Sequence, residues 1–347
     1  MRISLNYDKI SAMTLLDKIA AQNRFDVLAD ISLGGEPLAH EQASRVRAAG
    51  DDELDDLLTA TFRVRETYFG RRVKVCVLLN AQSGICAEDC SYCSQSKISK
   101  ADVEKYKLLP EETIIERAQT AAASGAKRFC IVIAARGPRD QDISHLASAV
   151  TKIKSDASTS RLEICTSLGL MNEDQCRALK AAGVDYVNHN LNTSESHYEK
   201  ICRTHTYADR INTLHNVQAA GLKTCSGGIV GMGESDDDII SMGFALRAMK
   251  IESIPINFLL GIPGTPLENQ KAITAARGLK TLCLMRLLNP DKEVRVAAGR
   301  ETHLKEEQAK ALCAANSLFV DGYLTTPGEA HERVQTWIEA AGYEVEV

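Results

Sequence analysis

Three cysteines in the first third of the chain have a spacing suited to metal chemistry. Cys86, Cys90 and Cys93 form a C-x3-C-x2-C pattern, and they follow a β-branched run that is typical of a strand. Three thiolates at this spacing can hold three corners of a cubane [4Fe-4S] cluster. The neighbouring cysteines in the sequence, Cys76 and Cys130, lie too far outside the pattern to belong to it. The spacing therefore predicts a cluster in which one iron has no protein ligand.

Two other interpretations of this triplet are a structural zinc site and buried cysteines that only fill space. Zinc sites usually combine two C-x2-C pairs or add histidines, and residues 86–93 contain one such pair and no histidine. The chain has 11 cysteines, an odd number that cannot be fully paired in disulfides within one molecule. We therefore favour iron over zinc and over disulfide bonds.

Four further residues with sulfur or guanidinium groups lie on other predicted strands: Cys130, Cys165, Cys225 and Arg295. Each could point into a closed barrel, because side chains alternate between the two faces of a strand. Lone cysteines in strands are usually small core residues. A guanidinium is normally cationic and has no lone pair to give to a metal. The residues alone therefore leave packing, ion pairing and metal binding open.

Asparagines form a second polar group. Asn188, Asn190 and Asn192 repeat with period two at the fourth predicted strand, so they are expected to share one face, and Asn257 lies on the sixth. An amide offers both donors and an acceptor, which suits a small polar ligand that itself has donors and acceptors. The alternative is a structural amide ladder or a set of turn signals.

Short β-branched runs alternate with amphipathic helical stretches through most of the chain. The eight strand candidates lie at residues 73–79, 128–134, 162–167, 186–191, 224–230, 254–260, 294–298 and 317–321. Their total span is close to the roughly 250 residues of an eight-stranded β/α barrel, in which the loops after the strands carry the chemistry. A doubly wound open sheet is the alternative, but no GxGxxG motif follows the first strand.

We predict an α/β chain with a (β/α)8 TIM-type barrel at residues 71–325. An N-terminal helical extension is predicted at residues 1–70, with helical stretches at 12–22 and 51–68, and a C-terminal helix or tail at 326–347. The chain is 44% hydrophobic and has a net charge of −5, which argues against disorder and against general attraction to nucleic acid or anionic membranes. No run of about 18 apolar residues and no targeting signal is found, which predicts a cytoplasmic location.

The segment at residues 86–96 reads CAEDCSYCSQS, and its C-x3-C-x-Φ-C motif, with Tyr92 as the aromatic residue, resembles the signature of the radical S-adenosylmethionine (SAM) superfamily. Between residues 75 and 327 the chain further resembles the biotin synthase family. The segments that carry this resemblance include RFC at 128–130, YVNHNLNTS at 186–194, CSGGIVGMGE at 225–234, SIPIN at 253–257, GTPL at 264–267 and VRVAAGR at 294–300.

The resemblance implies a radical SAM sulfurtransferase that inserts sulfur between C6 and C9 of dethiobiotin to form biotin. It implies a [4Fe-4S] cluster, with its open iron bound to SAM, on Cys86, Cys90 and Cys93. An auxiliary cluster of [2Fe-2S] type is implied as the sulfur source, with these ligands: Cys130, Cys165, Cys225 and Arg295. The implied SAM contacts are Tyr92, Asn190, Asn192 and Arg210, and the implied dethiobiotin contacts are Asn188, Asn190 and Asn257.

No side-chain acid or base is implied, because the chemistry is radical. The resemblance also implies an electron donor such as flavodoxin or ferredoxin and a homodimer, with no nucleic-acid or membrane partner. Some family members have Asp, Pro and a basic residue where this chain has Asn192, Ala87 and His205. None of these differences removes a cluster ligand.

Arg295 lies between Val294 and Val296, so it turns into the barrel if the valines pack outward. Few carboxylates lie on the predicted strands. We therefore expect the guanidinium to face the auxiliary cluster rather than a carboxylate, as an iron ligand or as a counter-charge.

Two other functions stay open. Another radical SAM enzyme, of the hydrogenase-cofactor maturase or methylornithine synthase type, would share the triplet and the barrel, although the inward cysteines and Arg295 argue against it. A non-catalytic iron-sulfur or zinc-binding protein is the second. The remaining cysteines have no assigned role: Cys76, Cys176, Cys202, Cys283 and Cys313. Those at 176, 283 and 313 are expected to be packing residues on helices, whereas Cys76 could face the barrel.

Overall fold

The structure is a computed structural model that describes residues 24–346. The helical stretch predicted at residues 12–22 lies outside the described residues. From residue 24 onward, three helices precede the first strand: α1 (Asp26–Leu33), α2 (His40–Arg47) and α3 (Leu54–Phe69). Gly70 follows α3 with φ 58°, a left-handed conformation that glycine adopts without strain, and the chain then turns into the sheet.

Parallel strands close into a barrel. They are β1 (Arg72–Gln82), β2 (Arg128–Ile133), β3 (Glu163–Ser167), β4 (Tyr186–Asn188), β5 (Lys223–Cys225), β6 (Gly228–Val230), β7 (Ser253–Phe258), β8 (Glu293–Val296) and β9 (Ser317–Val320). β9 pairs with β1, which closes the sheet. β5 and β6 both pair with β7, so they are two parts of one barrel strand. The predicted (β/α)8 class is therefore confirmed.

The predicted strand at residues 224–230 is interrupted between β5 and β6. A Cβ on Gly227 would lie 1.8 Å from the carbonyl oxygen of Pro255 on β7, so only glycine permits this approach of the two backbones.

Helices cover the outside of the barrel: α4 (Glu111–Ala123), α5 (Asp140–Ser155), α6 (Glu173–Ala181), α7 (Glu195–Tyr198), α8 (Tyr207–Ala219), α9 (Asp236–Ala248), α10 (Ala275–Leu288) and α11 (Arg300–Leu304). A 3-10 helix (Lys305–Cys313), α12 (His331–Ala340) and β10 (Glu344–Val345), which pairs with β1, complete the chain. Ser235 caps α9 and accepts a hydrogen bond from the backbone N–H of Asp238. The domain boundaries at residues 70 and 325 stay predictions.

The hydrophobic core lies between the strands and the helices. Val294 and Val296 on β8 are fully buried in a cluster that includes Leu282 on α10. Every residue of α10 from Gly278 to Leu288 is buried, because α2 and α3 pack against the side that does not face the barrel. Since the two valines face outward, alternation along β8 directs Arg295 into the barrel.

The N-terminal end of the barrel interior, which we call the barrel floor, holds four charged residues: Lys74, Arg128, Glu163 and Glu293. Both terminal nitrogens of Arg128 donate to the Glu293 carboxylate at 2.9 Å, and its Nε donates to Glu163 at 2.9 Å. Lys74 donates to both Glu163 oxygens. Burial alone would lower the pKa of Arg128, but the charge of Glu293 raises it well above its ordinary value. Arg128 is therefore a buried cation whose charge depends on carboxylate partners.

We expect Glu293→Gln to destabilise the fold by about 3–5 kcal/mol, because it leaves the buried charge of Arg128 without its bidentate partner. Urea unfolding followed by circular dichroism measures the change in the free energy of unfolding. The matched control is Glu332→Gln at an exposed position on α12, which should shift it by less than about 0.5 kcal/mol. Equal free energies for the two variants would show that the floor does not depend on this ion pair.

Candidate active site

The cysteine triplet lies in the loop after β1, at the C-terminal mouth of the barrel. Cys86, Cys90 and Cys93 all line the same cavity. Short turns shape this loop, with the Cys93 backbone N–H donating to the Cys90 carbonyl at 3.1 Å and that of Ser96 donating to the Cys93 carbonyl at 3.2 Å. Burial raises the pKa of the Cys93 thiol to about 11. The donor set fits a [4Fe-4S] cluster, since three thiols from one loop face one space and thiolates are the ligands such clusters use.

A fourth sulfur lies beside this triplet. Cys202, in the segment after α7, has its Sγ 3.8 Å from that of Cys90 and 3.2 Å from Nδ1 of His205. The hydrogen bond from the Cys90 thiol, with help from His205, lowers the pKa of Cys202 to about 4. The same bond and burial raise the pKa of Cys90. The sequence carries no signal for this contact.

Arg210 on α8 is buried and lines the same cavity. Its Nη1 donates to the Asn190 carbonyl at 2.8 Å, and its Nη2 lies 2.8 Å from Nε2 of His205. Because a guanidinium only donates, Nε2 must accept and Nδ1 must carry the ring proton. Nδ1 lies 2.7 Å from the Glu88 carboxylate and donates a hydrogen bond to it. Glu88 and His205 therefore hold Arg210 in one orientation. The positions of these two residues in the sequence do not reveal this role.

The structure brings the three asparagines of the fourth strand segment to one cavity wall. β4 ends at Asn188, earlier than the predicted end at residue 191, and Asn192 has the left-handed φ of 69°, which asparagine tolerates. Asn188 donates to the Asn190 side chain at 3.0 Å, and Asn192 donates to the Tyr92 hydroxyl at 2.7 Å. The predicted shared face is correct, although irregular backbone rather than a continuous strand produces it.

Asn257 is buried on β7, the next barrel strand but one from β4, and it lines the same cavity. Its Nδ2 donates to the Gly228 carbonyl at 3.2 Å, and its Oδ1 accepts from the Ala298 backbone N–H at 3.2 Å. These two bonds fix the amide plane. One N–H and one lone pair of this amide remain for a ligand.

The inward cysteines converge deeper in the barrel. Cys130 on β2 and Cys165 on β3 are directly paired in register, and both belong to one buried cluster with Cys225. Cys76 on β1 belongs to the same buried cluster, where its Sγ lies 3.4 Å from the Ser317 hydroxyl. Burial raises the pKa of Cys76 to about 12. The three predicted ligands therefore meet at one point, with Cys76 facing the same interior.

Arg295 lies inside the barrel among these cysteines. Its Nη1 is 3.8 Å from the Cys225 Sγ, and its Nε donates to Ser317 at 3.0 Å. Its Nη2 donates to Ser253 at 3.1 Å and also to Glu293. The expectation that the guanidinium would face the auxiliary cluster rather than a carboxylate was wrong in part, because it contacts both Cys225 and Glu293. β8 begins at Glu293, one residue before the predicted strand, so Glu293 shares the inward parity of Arg295.

The charged side chains near Cys130, Cys165 and Cys225, which we call the auxiliary site, also suit an anionic iron-sulfur group. Arg295 and the floor residues Lys74 and Arg128 carry three positive charges, whereas Glu163 and Glu293 carry two negative ones. This excess of positive charge beneath three thiols is complementary to the negative charge that thiolates and sulfide would carry in a space of low dielectric constant. The guanidinium donates to Ser317, Ser253 and Glu293 and has no lone pair to give to a metal, which favours the counter-charge role over direct iron ligation.

Comparison with known proteins gives the class of this site. The family model of the Radical SAM superfamily matches residues 82–244, and that of the Biotin and Thiamin Synthesis associated domain matches residues 255–344. A closed parallel barrel with a C-x3-C-x2-C triplet after its first strand defines, with these matches, a radical SAM enzyme. Within residues 24–346, no helix is both long and apolar enough to cross a membrane.

The sequences of named relatives identify the family within this class. The chain is 48% identical over 321 residues to the biotin synthase of Rhodopirellula baltica, covering 92% of this chain and 89% of that one. It is 47% identical over 317 residues to the biotin synthase of Thermus thermophilus, covering 90% and 95%. The chain belongs to the biotin synthase family.

Solved structures with the same fold are more distant. Methylornithine synthase superposes with a TM-score of 0.80 at 19% identity, covering 92% of this chain and 97% of that one. The FeFe-hydrogenase maturase of Carboxydothermus hydrogenoformans gives 0.78 at 16% identity, covering 93% and 79%. At these identities the likeness shows the shared fold alone.

Proposed function

We propose that this enzyme inserts sulfur between C6 and C9 of dethiobiotin to form biotin in a SAM-dependent reaction. One observation carries the proposal: a single cavity is lined by the triplet at the barrel mouth, by asparagines at mid-depth, and by Cys130, Cys165 and Arg295 below them. Such an order of layers suits a substrate held between a radical source and a sulfur source. When bound, a [4Fe-4S] cluster would supply the electron for SAM cleavage and an auxiliary cluster, of [2Fe-2S] type, would supply sulfur.

We assign the binding of SAM to residues at the mouth. Arg210 is a cation held in place on one side by the Asn190 carbonyl and on the other by His205, so it can pair with the SAM carboxylate with little loss of side-chain freedom. Asn190 and Asn192 would contact the ribose. Tyr92 supports Asn192 through the hydrogen bond between its hydroxyl and the amide.

Dethiobiotin would bind below SAM with its ureido ring between β4 and β7. Asn188 and Asn190 approach from one side and Asn257 from the other, which offers donors to the ureido oxygen and acceptors to its N–H groups. At the mouth of the barrel, the Ser94 and Thr325 hydroxyls lie 2.8 Å apart and form a hydrogen bond. This bond holds the segment after β9 against the triplet loop. This contact helps to exclude water from reactive species.

The test of this function is an anaerobic turnover assay on the full chain with reconstituted clusters. It contains dethiobiotin, SAM and a reductant such as reduced flavodoxin or ferredoxin, and mass spectrometry measures biotin and 5′-deoxyadenosine. We expect both products. 5′-Deoxyadenosine without any biotin would point to another radical SAM reaction, and neither product with bound iron would point to a non-catalytic iron-sulfur protein.

The cellular setting is also proposed. All eleven cysteines are free thiols in the structure, which supports a reducing, cytoplasmic location. The electron donor and the homodimer rest on the family resemblance.

We expect Asn257→Ala to weaken dethiobiotin binding by about 1–3 kcal/mol, because buried polar atoms of the ureido ring lose a hydrogen-bond partner. Calorimetric titration of the SAM-loaded enzyme measures the dissociation constant. The control is Asn216→Ala, since the Asn216 side chain bonds the Met171 carbonyl outside the cavity. An Asn257→Ala enzyme with the wild-type dissociation constant would remove this residue from the substrate site.

A further inference from the structure

We propose that Cys90 and Cys202 are a modification site: they form a reversible disulfide bond whenever Cys90 is not bound to iron. Cys90 is a proposed cluster ligand, whereas Cys202 has no assigned role. The disulfide would therefore block one ligand of the triplet. Its formation does not depend on the proposed reaction, and only its effect on cluster assembly rests on the proposed function.

The geometry of the two sulfurs carries this inference. They lie 3.8 Å apart, in contact with each other, although 112 residues separate the two cysteines in the sequence. Both side chains belong to one buried cluster with Tyr198, Ile201 and Met232. A disulfide requires the sulfurs to approach to about 2.05 Å, which is less than 2 Å closer than their present separation.

Backbone hydrogen bonds hold the two loops together beside both sulfurs. The Ser91 N–H donates to the Ile201 carbonyl at 2.9 Å. On the other side, the Asp89 carboxylate accepts from the backbone N–H groups of Arg203 at 3.0 Å and Thr204 at 3.1 Å. The segments that carry Cys90 and Cys202 are therefore already docked, so the sulfurs can meet through rotation of the side chains. Because these segments are already docked, Cys90 should pair with Cys202 in preference to any cysteine that could reach it only if the triplet loop refolded.

The chemistry balances with dioxygen as the oxidant. The two thiols lose two electrons and two protons as the S–S bond forms, and dioxygen accepts them to become hydrogen peroxide. Cys90 lines the open cavity, so a small oxidant can reach it. A dithiol reverses the bond by exchange. While it lasts, the disulfide keeps the Cys90 sulfur from further oxidation to sulfinic or sulfonic acid, which cannot be reversed by thiols.

Peptide mapping tests the bond directly. The full chain is stripped of iron with a chelator under anaerobic conditions, exposed to air, treated with an alkylating reagent, digested and analysed by mass spectrometry. We expect a peptide pair that joins Cys90 to Cys202 and disappears after dithiol treatment. Cys202→Ser should lose this pair, and Cys313→Ser, at a half-buried cysteine remote from the cavity, should keep it.

Alkylation of both Cys90 and Cys202 in the air-exposed wild type would overturn the proposal, as would a Cys90 bond to Cys86 or Cys93. This map needs only the wild-type chain, so it stays decisive even if a variant fails to fold.

Iron loading gives a second readout that needs no turnover. Wild-type protein that has been exposed to air should assemble less iron at the triplet than the same protein that has been reduced with a dithiol beforehand. Air-exposed Cys202→Ser should load equally with and without prior reduction. If prior reduction makes no difference to the wild type, the disulfide has no effect on the cluster site. Absence of biotin formation in a fully loaded enzyme would instead concern the proposed function.

Discussion

Replacing Cys90 with Ala abolishes reductive SAM cleavage if the triplet holds the cluster as proposed. A cubane left with two protein ligands is readily lost, and the variant should retain little iron at this site. Anaerobic assays of 5′-deoxyadenosine formation and of iron and sulfide per chain measure both effects. The Cys202 sulfur lies 3.8 Å from that of Cys90, so the little iron that Cys90→Ala retains is expected to depend on Cys202. The double variant Cys90→Ala/Cys202→Ala should therefore retain none of this iron and, like the single variant, should form no 5′-deoxyadenosine.

The control for this experiment is Cys313→Ala, since Cys313 does not line the cavity. It should keep the iron content and the rate of the wild type. 5′-Deoxyadenosine formation near the wild-type rate in the double variant would show that Cys90 is not a cluster ligand. Loss of activity in the control as well would point to a general loss of folding, which circular dichroism would detect.

The second large effect separates the two sites. Cys130→Ala and Cys225→Ala should each still form 5′-deoxyadenosine but yield little or no biotin, because the radical source is intact while the sulfur donor is not. Both products are measured in the same anaerobic assay. Cys176→Ala is the control, because Cys176 is a buried helix residue outside the cavity. Biotin yields equal to that of the wild type in both barrel variants would show that the auxiliary site is misassigned.

Arg295→Lys extends this experiment to the fourth predicted ligand. The pairing of Arg295 with Glu293 places a protonated guanidinium 3.8 Å from the Cys225 sulfur, as expected of a counter-charge. A lysine keeps the positive charge, so the variant should retain auxiliary iron and much of the biotin yield. Complete loss of the auxiliary iron would instead favour a direct bond to the metal.

Local pattern was enough to predict the layout of the fold. Alternating β-branched runs and amphipathic stretches correspond to the observed barrel strands and helices, because each element must bury one face against its neighbours. The outward packing of Val294 and Val296 was also predictable, and with it the inward direction of Arg295. The break between β5 and β6 was not, because it results from the close approach of Gly227 to Pro255 on the neighbouring strand.

Contacts between side chains from distant segments could not be predicted from the local sequence pattern. Glu293 was missed as the partner of Arg295 because the predicted strand began one residue later, at Val294, so Glu293 was not counted among the strand residues that share the inward face of Arg295. The ion pair of Glu293 with Arg128 likewise depends on both residues beginning strands at the same end of a closed barrel. Neither residue stands near the other in sequence.

The sequence by itself determined the class of barrel, the cysteine triplet and the candidate ligands, because spacing within one segment and periodicity along one strand are local properties. Only the tertiary structure decided that Cys202 contacts Cys90 and that Glu88 and His205 orient Arg210. These contacts join loops that follow different strands. Their geometry depends on how the closed sheet sets the position of each strand end, and this is a property of the whole barrel rather than of any segment.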